Sequence, residues 1–211
     1  MEVKQNNLIK SLKTQPLIVV IRLEHQFFKN SKKKENLFLK IENLYNYGIR
    51  NIEIGWDSNP EWVNLILEIK KKFKSINIGV ASISSRKSLD SICLLDLNYA
   101  MSPFFNKEIH LKAIKYNQLV IPGISNFQDF KEAINLGYKI VKIYPVSKLG
   151  INFIDELKDF KKQDIFYIGA GGIKSKNLNK LLKSGYDALV IGRELLNQLP
   201  DKDLEIWLKD Y

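Results

Sequence analysis

The sequence predicts a (β/α)8 TIM barrel with a short N-terminal helix. Two observations predict it: eight short apolar strands, each followed by a polar turn and a helical stretch, and glycines placed where helix hands over to strand. The strands are expected at 17–21, 51–55, 76–81, 99–101, 119–122, 139–144, 165–169 and 188–192. After the first, Leu37, Ile41 and Leu44 share one helical face, with lysine, glutamate and asparagine opposite. After the second, Trp62, Ile66 and Ile69 repeat the pattern. Later helices are expected over 107–116, 127–136, 152–161, 177–183 and 194–199. Gly48, Gly137 and Gly185 each follow a helical stretch where a left-handed cap is expected. Eight such units in 211 residues fit one barrel domain over 1–211, and closure leaves no strand edge exposed. An open doubly wound sheet is the alternative; its dinucleotide-binding form is weakened because no Gly-x-Gly-x-x-Gly follows the first strand.

Composition narrows the function classes. The chain is 45% hydrophobic and has no window of the ~18 uninterrupted apolar residues that a membrane span needs. Residues 1–7 lack the apolar core of a signal peptide, so a cytoplasmic location is expected. Cys93 is the single cysteine; it excludes an internal disulfide and reads as core filler on an apolar helical face. His25 and His110 lie far apart without a carboxylate at metal-ligand spacing, so a metal-free mechanism is expected. The net charge of +10 raises nucleic acid as a partner. Lys32–Lys34 and Lys70–Lys72 instead sit at a helix start and a helix end, without an aromatic-basic stacking platform, and read as solvated faces.

The residue that points to chemistry is Lys142, in the run Lys139-Ile140-Val141-Lys142-Ile143-Tyr144-Pro145. Alternation puts Ile140, Lys142 and Tyr144 on one face of a buried strand, so the amine points into the barrel. Desolvation lowers a lysine's pKa and makes available a neutral amine that can attack a ketone. Glu53, in Asn51-Ile52-Glu53-Ile54-Gly55, points inward by the same alternation. Amine and carboxylate then meet inside, as a buried salt bridge or as a proton-transfer couple. Gly169-Ala170-Gly171-Gly172-Ile173 ends the seventh strand, and Ile191-Gly192-Arg193 ends the eighth. Their exposed backbone N–H groups, nearby helix N-termini and Arg193 make a candidate phosphate site.

These residues, in this order, resemble the class I aldolases that cleave 2-keto-3-deoxy-6-phosphogluconate or 4-hydroxy-2-oxoglutarate. The resemblance spans roughly 17–196. Ile18-Val19-Val20-Ile21-Arg22 is similar to the family's first strand, Ile52-Glu53-Ile54 to the strand with the catalytic glutamate, and Ser102-Pro103 to the fourth-strand turn. Ile121-Pro122-Gly123-Ile124 is similar to the fifth strand, Val141-Lys142-Ile143-Tyr144-Pro145 to the Schiff-base segment, and Gly171-Gly172-Ile173 to the phosphate loop. Three positions depart: Asp57 stands where many members have an arginine, Gly79-Val80-Ala81-Ser82 replaces Gly-Ala-Gly-Thr, and Arg193 replaces a common serine. The resemblance implies a lyase that cuts a 2-keto acid to pyruvate and an aldehyde without a cofactor. Lys142 would form the Schiff base and Glu53 would relay protons. Arg22 and Ser82 would contact the carboxylate end of the substrate, Gly171, Gly172, Gly192 and Arg193 the phosphate, and Pro103 would also line the substrate site. It also implies a homo-oligomer, a trimer, with a small-molecule substrate and neither nucleic acid nor membrane as partner. Two other readings stay open: a phosphate-binding isomerase or synthase without a Schiff base, and a non-catalytic homologue that binds a metabolite.

Overall fold

A computed structural model describes residues 1–158, 164–192, 195–196 and 201–209. Its strands are β1 (Leu17–Ile21), β2 (Asn51–Gly55), β3 (Asn77–Ala81), β4 (Ala100–Met101), β5 (Val120–Ile121), β6 (Gly123–Ile124), β7 (Ile140–Ile143), β8 (Phe166–Ala170) and β9 (Ala188–Ile191). All pair in parallel, in the order β5-β4-β3-β2-β1-β9-β8-β7-β6. The two ends of that ladder are one stretch of chain, because only Pro122 separates β5 from β6. Proline has no N–H to give a ladder, so the predicted fifth strand is split at that residue. Its carbonyl still accepts from Lys142 N at 2.9 Å, and Ser102 N donates to Ile121 O at 3.0 Å on the other side. Eight strand positions therefore ring the core, and the open-sheet alternative is set aside.

The helices that cover the sheet are amphipathic for the reason the spacing predicted. In α2 (Ser31–Asn46), Leu37, Ile41 and Leu44 are buried, and in α3 (Trp62–Lys72) Trp62, Leu65, Ile66 and Ile69 are. α4 (Arg86–Cys93), α5 (Lys107–Lys115) and α6 (Phe127–Asn135) follow β3, β4 and β6. After β7 come α7 (Val146–Leu149) and α8 (Phe153–Lys158), after β8 comes α9 (Leu178–Lys183), and α10 (Lys202–Leu208) closes the described chain. Most of the helix expected over 194–199 lies outside the described residues. Gly48, Gly137 and Gly185 have φ of 96°, 83° and 107°, the left-handed region expected for caps. Cys93 corrects an expectation: α4 buries Ser88, Leu89 and Ile92 and leaves Cys93 exposed. One residue beyond Ile92 is 100° further round the helix, which is enough to leave the core.

The N-terminal helix α1 (Glu2–Thr14) seals the lower end of the barrel with amide side chains. Gln5 donates to Gly137 O at 3.2 Å and accepts from Lys139 N at 2.7 Å. Gln15 donates to Gly48 O and accepts from Arg50 N, both at 2.9 Å. Ser11 Oγ donates to Asn51 Oδ1 at 2.9 Å, which confirms that Asn51 faces inward at the bottom of β2. The lysine runs lie as expected in the first turn of α2 and the last turn of α3, where Lys34 pairs with Glu68 at 2.7 Å. Among the described residues no helix is long and apolar enough to cross a membrane.

Candidate active site

At the C-terminal ends of the strands a cavity of about 270 Å³ opens, and Lys142, Glu53, Arg22, Ser82, Pro103, Gly171, Gly172 and Gly192 all line it. These residues come from strand ends far apart in sequence, and closure of the barrel brings them together. Arg193 lies outside the described residues. Lys142 is on β7, paired in register with Gly123 and Ile168, and Glu53 is on β2, paired with Val20 and Gly79. Lys142 is 7% exposed and Glu53 2%. The amine nitrogen lies 5.4 Å from the centre of the Tyr144 ring, and among the described residues Glu53 Oε1 has no hydrogen-bond partner.

Burial sets the protonation of the pair. Desolvation brings the Lys142 amine down to about 8; Glu53 opposes that and Arg22 reinforces it. Desolvation also lifts the Glu53 carboxyl to about 7, against the pull of Lys142 and Arg22. Burial thus draws the proton affinities of the two groups toward one another, and both face the cavity that a substrate would enter. The amine can be a nucleophile and the carboxyl either acid or base.

The walls have identifiable supports. Arg22, exposed at the end of β1, donates from Nη1 to Ser82 Oγ at 3.0 Å. Ser82 has φ of 71°, a left-handed conformation costly for a residue with a Cβ, and it holds its hydroxyl at the rim beside the guanidinium. Pro103 is anchored through its buried neighbour Ser102. That hydroxyl donates to Ile121 O at 3.2 Å and accepts from Gly123 N at 3.1 Å. Gly123 itself must lack a side chain, because a Cβ there would lie 2.5 Å from the Pro103 backbone. His110 backs this wall: Nε2 lies 3.3 Å from Ser102 Oγ and Nδ1 lies 2.9 Å from Tyr138 Oη. Burial lowers its pKa to about 4, so the imidazole is neutral and bridges the two hydroxyls.

On the opposite wall Gly171 and Gly172 have φ of 91° and 75°, and their turn presses on the segment after β7. A Cβ on Gly171 would lie 2.8 Å from Pro145 Cβ, and one on Gly172 would lie 2.5 Å from Ser147 Cβ. The turn therefore offers bare backbone to the cavity, the surface an oxyanion needs. The helix expected over 177–183 runs from Leu178, beyond a short 3-10 turn at Ser175–Asn177 that separates it from the glycines. Asp57 does not line the cavity: its carboxylate accepts from Asn59 N at 2.8 Å in a turn ahead of α3. Val20, Ala81, Tyr144, Ala170, Ile173 and Val190 also line the cavity and were not among the sequence-predicted site residues. Tyr144 was the legible one, since alternation already placed it on the face of Lys142.

The model of the family described as KDPG and KHG aldolase matches residues 8–205. The chain belongs to that family. Its curated relatives include the 2-dehydro-3-deoxy-6-phosphogalactonate aldolase of Escherichia coli K12, 25% identical over 150 residues that cover 70% of this chain and 72% of that one. Solved structures share the family's barrel at lower identity. The 2-keto-3-deoxy-6-phosphogluconate aldolase of Zymomonas mobilis with 3-phosphoglycerate is 19% identical, with a TM-score of 0.77 over 96% of this chain and 93% of that one. The KDPG aldolase of Legionella pneumophila, with pyruvate captured as a covalent carbinolamine, is 20% identical, with a TM-score of 0.74 over 90% and 91%.

Proposed function

We propose that the protein is a class I aldolase that cleaves a phosphorylated 2-keto-3-deoxy sugar acid to pyruvate and an aldehyde. The observation that carries the reading is the buried Lys142 amine facing the same cavity as Glu53. Lys142 Nζ attacks C2 of the keto acid, and the carbinolamine loses water to give an iminium. Glu53 takes the proton of the C4 hydroxyl; the C3–C4 bond breaks, its electrons pass to the iminium, and an aldehyde departs. The remaining enamine is protonated at C3 and hydrolysed, which releases pyruvate and regenerates the amine. Arg22 and Ser82 hold the substrate carboxylate at one rim, while the backbone of Gly171 and Gly172, with Gly192 beside them, receives the phosphate at the other.

The phosphorylated class is favoured over 4-hydroxy-2-oxoglutarate by the bare glycine turn and by the activity named for the E. coli relative. A panel of phosphorylated and unphosphorylated 2-keto acids, assayed for pyruvate release, tests this. The expected result is a kcat/KM at least about tenfold higher with a phosphorylated substrate, the scale of one charge-assisted hydrogen bond. Equal values on both classes would replace the sugar acid with 4-hydroxy-2-oxoglutarate. Failure of every 2-keto acid would remove the aldolase reading.

A further inference from the structure

Tyr99, immediately ahead of β4, is fully buried in the barrel, and Gly79 explains where its hydroxyl goes. Gly79 is the register partner of Glu53 on β3, so a side chain at 79 would lie beside the Glu53 carboxyl. The far end of the Tyr99 ring takes that space instead: a Cβ on Gly79 would lie 2.3 Å from Tyr99 Cζ, the carbon that bears the hydroxyl. The phenol is thereby carried to the glutamate. Among the described residues, Tyr99 Oη and Glu53 Oε1 in this layer have no hydrogen-bond partner. A buried donor and a buried acceptor left unpaired in one layer each lose free energy, which a hydrogen bond between them would recover.

We infer that Tyr99 is a positioning residue for Glu53, its hydroxyl being the donor that Oε1 takes up when the carboxyl ionises. Burial and the nearby carboxylate push the phenol well above its ordinary value, so it remains an O–H donor wherever Glu53 titrates. The titratable and charged groups that face Glu53 are Lys142 from β7, Arg22 from the end of β1 and Tyr99 ahead of β4. The two cations favour the ionised carboxylate without fixing its orientation. A hydrogen bond from Tyr99 does both, and aims the second oxygen toward the substrate. The kinetic consequence rests on the aldolase reading; the effect on Glu53 itself does not.

Tyr99→Phe keeps the ring, and with it the packing against Gly79, while deleting the hydroxyl. The test follows Glu53 by carbon-13 NMR in protein labelled at glutamate carboxyls, the resonance being assigned by its loss in Glu53→Gln. A hydrogen bond to the charged form lowers a carboxyl's pKa, so its removal should raise the Glu53 midpoint by roughly one pH unit in Tyr99→Phe. The acid limb of kcat/KM should move upward by the same amount. Superimposable Glu53 titrations in the two proteins would overturn the inference and reduce Tyr99 to barrel packing. Borohydride trapping of pyruvate on the wild-type protein separates the two claims. Its failure removes the aldolase reading and leaves the titration to decide Tyr99.

Discussion

Lys142 and Glu53 are each unfavourable to bury alone, and the structure places them where their proton affinities converge. Glu53→Gln keeps the shape and removes the proposed base, so turnover should fall by about 10²-fold or more, the scale of general acid-base catalysis. Near-normal turnover would make Glu53 structural. Stability offers a second check at the same residue. Burial raises the Glu53 carboxyl from 4.5 to about 7, so the folded state holds its proton more tightly than the unfolded chain does. That contribution is complete below pH 4.5 and is lost as pH rises through about 7. The urea midpoint of the wild type should therefore fall relative to Glu53→Gln across that window, and parallel curves would contradict the assignment. Both residues were legible from alternation alone. Tyr99 and His110 were not, because a buried hydroxyl or imidazole takes its role from partners such as Gly79, Ser102 and Tyr138 that only tertiary structure supplies.

Elements position these residues through short, specific contacts. The turn after β8 depends on two glycines in the left-handed region, with Ser147 against the second. Gly172→Ala would strain φ and crowd Ser147, distorting the surface proposed to receive the phosphate. Steady-state kinetics should show KM for a phosphorylated substrate rising about tenfold or more, with little change for an unphosphorylated one. Equal effects on both would mean that the turn supports the whole site. The strands themselves were legible because apolar runs alternate regularly with amphipathic helices. The break in the fifth was not, since Pro122 reads as a strand end while pairing resumes at Gly123. The sealing role of α1 was equally hidden, because Gln5 and Gln15 look like surface residues until their backbone partners are known. Gln5→Ala should leave Gly137 O and Lys139 N unpaired at the lower end of the barrel, lowering stability by about 1–3 kcal/mol. Chemical denaturation and turnover measured together check this, and a loss of activity without a loss of stability would contradict it.

The whole molecule separates these duties along the barrel axis: α1 and a layer of amide side chains close the lower end, while the cavity opens at the strand C-termini. That division keeps the buried amine and carboxyl at the open end of the barrel, away from the end that α1 closes. Family membership and the barrel were readable from ordered motifs, whereas the choice of substrate was not: Ser82 departs from the family pattern at the cavity wall, and Asp57 departs from it in a turn away from the cavity. The proposed chemistry requires this architecture to make Lys142 a Schiff-base nucleophile. The measurement that tests it most directly is incubation with pyruvate and borohydride, followed by peptide mass spectrometry. A reduced pyruvate adduct on the peptide containing Lys142, absent from Lys142→Arg, is the predicted result. An adduct on another lysine, or none on protein that releases pyruvate from a 2-keto acid, would contradict it.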